Sequence, residues 1–185
     1  MGLASSAVRD VSEANGSGDS QKISKTVTVI RRLVWITGML GLVVVAVTSP
    51  ILSKFAFGNY DYTIPFILLS IVLLLDQLSA GQKVILQGLR RLKDLACCSA
   101  IGVTVGLIVS IPFYYWMGIE GIAPTLILTS ICSLLVSWWY SRKIKIGKAD
   151  ISVKMTFTHG RQMLVMGVSM SLSGIFATAV AYITR

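Results

Sequence analysis

Residues 64–91, IPFILLSIVLLLDQLSAGQKVILQGLRR, form an apolar run long enough to cross a bilayer, and the run has charge inside it. Asp76 and Gln77 lie about midway, and Lys83, Gln87, Arg90 and Arg91 follow toward one end. A charged group at mid-bilayer costs at least ~2.5–3.5 kcal/mol, so it survives only where it meets protein, another polar group or water. At about 100° per residue, Asp76, Ala80, Lys83, Gln87 and Arg90 fall within roughly 80° of one another on a helix. Ile67, Leu68, Val72, Leu75, Leu78 and Leu86 take most of the remaining surface. The helix has one wet edge, and the other segments are expected to shelter it.

Those other segments are also apolar. Of the 185 residues, 54% are hydrophobic, and they come in long blocks, which a soluble domain does not show. The fold class expected is an all-α integral membrane protein with about five transmembrane helices. The spans fall near 33–52, 64–89, 95–116, 122–140 and 163–183. Gly38 and Gly41 are small positions for close helix contact in the first, and Pro50 falls near its exit. The third holds Gly102-x-x-x-Gly106, a small-residue contact motif that is common by chance in apolar helices. The fourth carries Thr125, Thr129, Ser133 and Ser137 at i+4 spacing. Helix packing, with hydroxyls bonded to their own backbone, accounts for that stripe more simply than a solute path does. Tyr114, Tyr115 and Trp116 at one end, and Trp138, Trp139 and Tyr140 at the other, read as interfacial aromatics.

Lys and Arg number 17 against 8 Asp and Glu, and the net charge is +9. The bases flank the apolar blocks and there is no basic, aromatic-bearing soluble module, so membrane topology explains them and nucleic acid does not. Between spans they count five in residues 1–32, one in 53–63, four in 79–95, none in 117–121 and six in 141–162. This alternation puts the N-terminus, the 79–95 junction and the basic linker in the cytoplasm, with the two short loops outside.

Four parts are therefore expected: a cytoplasmic N-terminal segment (1–32), four transmembrane helices (33–141), a basic cytoplasmic linker (142–162) and a last transmembrane helix (163–185). The N-terminal segment lacks a signal-peptide pattern. Residues 2–14 suit a short amphipathic helix, and Ser20 can N-cap a second one that leads into the bilayer. Residues 142–162 carry isoleucines among their bases and suit contact with anionic headgroups. The Met-Gly start with Ser6 loosely fits a myristoylation pattern, which adds little to a chain already anchored by several spans. Cys97, Cys98 and Cys132 have neither metal nor redox spacing and read as small hydrophobes, and His159 has no ligand partner nearby. No cofactor or metal is expected. Without paired carboxylates, a nucleophile elbow or a phosphate loop, an enzyme is the least favoured class.

Two junctions carry a family likeness. Ser79-Ala80-Gly81-Gln82-x4-Gln87-Gly88-Leu89-Arg90-Arg91, then Pro112-x-Tyr114-Tyr115-x2-Gly118-Ile119-x-Gly121-Ile122-x-Pro124, resembles polysaccharide and O-antigen repeat-unit flippases of the multidrug/oligosaccharidyl-lipid/polysaccharide exporter superfamily. Ala7-Val8-Arg9 to Glu13-Ala14 looks like the end of that family's second helix. Members have roughly twelve or more spans in two pseudo-symmetric lobes. On that pattern this chain corresponds to the tail of helix two, helices three to six and most of helix seven. The missing helices of the full-length transporter would then be its partners.

The resemblance implies translocation of lipid-linked oligosaccharide repeat units across the bacterial cytoplasmic (inner) membrane, for lipopolysaccharide or related polysaccharide. The substrate would be of the undecaprenyl-diphosphate type, whose anionic head suits a wall bearing Lys83 and Arg90, with Gln87 for sugar hydroxyls. Snorkelling to the interface is the plain alternative for those bases. Asp76 lies too deep to snorkel, and is either a structural hydrogen-bond partner for a neighbouring helix or a proton or cation coupling site. Asp76, Lys83, Gln87 and Arg90 are thus the substrate-path candidates. The rival functions are a cation-coupled multidrug exporter of the same superfamily and a membrane scaffold or assembly subunit that transports nothing.

Overall fold

A computed structural model describes residues 2–144 and Val165. The described residues are helical with short connections: α1 (Gly2–Gly16), α2 (Ser20–Phe57), α3 (Thr63–Gly88), α4 (Leu92–Met117), a 3-10 turn over Gly118–Gly121, and α5 (Ile122–Arg142). Helices α2 to α5 are each long and apolar enough to cross a membrane. The expected linker beyond residue 144 and the fifth span, near 163–183, lie outside the described residues apart from Val165. The described residues form two units, 2–33 with 84–91 and 34–83 with 92–144.

In the first unit, Ala7, Val11 and Ala14 repeat at helical spacing along α1, and all are buried. The expected amphipathic helix is thus present. Gly88, at the end of α3, receives α1: a Cβ there would collide with the Val11 side chain and reach 3.3 Å from the Val8 carbonyl oxygen. The Ser12 hydroxyl donates to the Gly88 carbonyl at 3.3 Å. Val27, Val29, Ile30 and Leu33 of α2, with Val84, Ile85 and Leu86 of α3, complete the buried apolar set.

The cap of α2 sits one residue earlier than expected. Asp19, not Ser20, is the N-cap: its Oδ1 accepts from the Gln21 N–H at 2.9 Å, and its carbonyl accepts from the Ile23 N–H at 3.1 Å. The longer side chain of an aspartate at the turn already reaches the orphan donor of the first turn.

In the second unit, α2 does not stop near Leu52 as expected but runs through Pro50 to Phe57. Proline lacks the N–H that would bond the carbonyl of Ala46, four residues back. The buried Ser49 hydroxyl takes that carbonyl at 2.8 Å, and the helix continues. The connection to α3 is thereby cut to residues 58–62. Gly58 closes α2 at φ 74°, and the buried Ser53 hydroxyl donates to the Asn59 carbonyl at 2.8 Å.

Small residues set the helix contacts. A Cβ on Gly38 would lie 2.8 Å from Leu74 Cδ1, one on Gly41 3.4 Å from Leu73 Cδ2, and one on Gly81 2.8 Å from the Val34 methyls. This runs α2 and α3 antiparallel at close range, with Gly38 and Gly41 in the role expected of them. Helices α4 and α5 form the next antiparallel pair, joined by the 3-10 turn. Gly102 faces Ser133, and Gly106 faces Thr129, so the small-residue motif of α4 lies along α5.

Candidate functional site

Asp76 lies at the middle of α3, where the helix period places it, and is exposed with respect to the rest of the chain. One of its oxygens is engaged. The Ser130 hydroxyl of α5 donates to Asp76 Oδ1 at 2.8 Å. One turn further along, the buried Ser79 hydroxyl shares hydrogen bonds with Ser133 Oγ at 3.1 Å and Ser137 Oγ at 2.8 Å. Each step of three residues on α3 is matched by three on α5, so the two helices run parallel and in register. Ser137 also receives the buried Cys98 thiol of α4 at 3.5 Å. The result is a polar seam inside an apolar bundle, its hydroxyls satisfied from neighbouring helices where no water would serve.

The hydroxyl stripe on α5 is divided in its roles. Thr129 bonds its own backbone at Leu126, and Ser137 that at Ser133, as expected of hydroxyls on a packed helix. Ser133 and Ser137 also reach α3. Thr125, almost wholly buried, has a hydroxyl with no partner among the described residues. The residue that meets Asp76, Ser130, lies off the stripe and escaped the sequence reading. A mid-span carboxyl asks for a donor at its own depth, but Thr129, Ser130 and Ser133 all qualify until the rotation of α5 is known.

Lys83 is half-buried on α3, in the same unit as Asp76, and its ammonium has no partner among the described residues. Gln87 and Arg90 belong to the other unit. Gln87 is exposed in the last turn of α3. Arg90 is not on the helix, which corrects the expectation that it shares the face of the other three. The helix ends at Gly88, and Arg90 adopts the left-handed conformation at φ 57°. The Arg91 N–H bonds the Leu86 carbonyl at 3.0 Å and the Arg90 N–H bonds that of Gln87 at 3.0 Å. This is the Schellman turn, which ordinarily places glycine where Arg90 stands. The nearest glycine, Gly88, is instead used where α1 lies against α3. The helical wheel therefore stops being a guide to direction after Gly88, and the exposed Arg90 projects from the turn.

Four bilayer-length apolar helices, with a hydrogen-bonded carboxyl at mid-span, define a multi-pass α-helical membrane protein. The chain belongs to the polysaccharide biosynthesis protein family, whose family model, described as "Polysaccharide biosynthesis protein", matches residues 1–185. Neither the curated proteins nor the solved structures compared with it include a match.

Proposed function

We propose that this chain is part of a flippase that carries lipid-linked oligosaccharide repeat units across the cytoplasmic membrane, with its N-terminus on the cytoplasmic side. The observation that carries this reading is the match of the whole chain to the polysaccharide-biosynthesis family. The polar inventory supports transport over catalysis. Asp76 and Lys83 lie on a membrane-length helix, and neither belongs to a nucleophile–base pair or a metal-ligating group among the described residues. Lys83 carries an ammonium with no partner among the described residues and suits an anionic diphosphate, and Gln87 and Arg90, exposed in the other unit, are donors of the kinds that take sugar hydroxyls and phosphate. The chain acts with the further helices of a two-lobed transporter, as alternating access requires.

The test uses cells deprived of their own repeat-unit flippase and supplied with the complete reading frame containing this chain. Restored surface polysaccharide, lost on Lys83→Ala with membrane insertion unchanged, is the expected result. Accumulation of lipid-linked units on the cytoplasmic side, despite normal insertion of the unaltered protein, would sink the proposal.

A further inference from the structure

The C-terminal end of α5 holds two cations on aromatic rings. The Arg142 guanidinium carbon lies 3.9 Å from the centroid of the Trp138 ring. The Lys143 ammonium lies 4.3 Å from the centroid of Trp139 and 4.4 Å from that of Tyr140. Both tryptophan pairs have i, i+4 spacing and lie side by side on the helix. Ser137, Tyr140 and Ser141 turn inward and are buried, whereas Trp138, Trp139, Arg142 and Lys143 are exposed.

At 3.9 Å the guanidinium carbon lies over the indole face, and a guanidinium stacked on a ring in this way keeps its in-plane N–H donors available for a ligand. The edge that carries them is the part that matches phosphate in bidentate fashion. Neither cation has a carboxylate partner among the described residues. The nearest carboxylate by register is Asp94: Cys98 meets Ser137, so Asp94 falls across from Ser141, and it already has interactions of its own. Stacking has also fixed two long side chains that would otherwise lose rotamer freedom on binding. The pair sits at the end of an apolar helix long enough to cross a membrane, the position at which exposed tryptophans ordinarily mark the headgroup level.

We propose that Trp138, Trp139, Arg142 and Lys143 form a seat for the phosphate of an anionic membrane phospholipid. The rings set the depth of the seat and hold the cations, and the guanidinium edge and the ammonium take the phosphate oxygens. The inference needs only that α5 spans a membrane, and does not rest on the flippase reading.

The experiment uses the full chain in nanodiscs of phosphatidylcholine with a minor share of phosphatidylglycerol, and counts co-purifying lipids by mass spectrometry. The unaltered chain should enrich phosphatidylglycerol over its bulk share. Arg142→Gln with Lys143→Gln should reduce that enrichment by up to roughly thirtyfold, as expected for removing two bases at the surface. The exposed bases Lys22 and Lys25, which have no ring contact among the described residues, changed to Gln together should reduce it much less. Trp138→Leu with Trp139→Leu keeps every charge and should still weaken the enrichment severalfold. No enrichment, equal loss in the Lys22/Lys25 control, or full enrichment without the rings would each overturn the seat. Stoichiometric displacement of phosphatidylglycerol by an added diphosphate-linked oligosaccharide would assign the cations to substrate instead. Circular dichroism excludes unfolded variants from the comparison, and Arg142→Lys, a milder change, should still lose part of the selectivity because it removes the planar edge.

Discussion

The Ser130 hydroxyl donates to Asp76 Oδ1 at 2.8 Å, which ties the middle of α5 to the middle of α3. A hydrogen bond to a carboxylate contributes more than one between two neutral groups. Ser130→Ala should lower stability by about 1–2 kcal/mol, read as unfolding in detergent or nanodiscs. Asp76→Asn keeps an acceptor oxygen for Ser130 and should cost less. A double-mutant cycle with Asp76→Ala and Ser130→Ala should show positive coupling of about 1 kcal/mol. Additive losses would mean that the bond contributes nothing.

Arg90 holds a left-handed conformation that costs a non-glycine residue about 1–2 kcal/mol. Arg90→Gly should therefore raise thermal stability by up to that amount, whereas Arg90→Ala should not. Under the proposed function, both should reduce repeat-unit export. Undiminished export by the stabilised Gly variant would show the guanidinium to be idle there.

Gly88 has no room for a methyl group against Val11. Gly88→Ala should displace α1 and destabilise by about 1–3 kcal/mol. Trypsin should then cut at the exposed Arg9 much faster than in the unaltered protein. Adding Val11→Ala should restore part of the protection, which general unfolding of the helix would not allow.

Burial pushes the Asp10 carboxyl up from its ordinary value, with Glu13 adding to the rise and Arg9 opposing it. A raised folded-state value means that the native form holds the proton more tightly than the unfolded chain does. Stability of α1 should thus fall as pH rises from 3.8 through the raised value, and remain lowered above it. Asp10→Asn should protect α1 amides from hydrogen exchange at neutral pH and lose that advantage below pH 3.8. An Asn variant no better protected at pH 7 would remove the basis for this expectation.

Topology is testable with single cysteines after removal of Cys97, Cys98 and Cys132. The loops around residues 58 and 118 should be reached from outside, but Gly58 and Gly118 both have positive φ and would strain under a cysteine. Asp61→Cys and Met117→Cys, both exposed, are the better reporters. They should label in intact cells, and Lys148→Cys only after permeabilisation. Labelling of position 148 in intact cells would reverse the orientation.

Hydropathy and charge alternation made the four described spans legible, because apolar length and flanking bases are written directly in the chain. Gly38, Gly41 and the buried face of α1 were legible for the same reason: their spacing is the contact. The passage of α2 through Pro50 was not, because it depends on a Ser49 hydroxyl turning back to one carbonyl. The turn at Arg90 misled, since Gly88 stood ready as the stop signal and serves instead to let α1 approach. The partner of Asp76 required the rotation of α5, which a helix carrying hydroxyls on adjacent positions does not disclose.

The bond between Asp76 and Ser130 joins residues 54 apart in the chain. During synthesis, at about 5–20 residues per second, Asp76 waits roughly 3–10 s before its donor is made. A helix α3 that leaves the translocon in that interval does so without Ser130 to bond its carboxyl. Its entry then depends on Ile64 to Leu75, an apolar run broken only by Pro65 and Ser70, to outweigh a charge cost of about 2.5–3.5 kcal/mol. Substitutions that thin this run would act on biogenesis, by stalling or inverting α3, before they could affect anything the finished protein does.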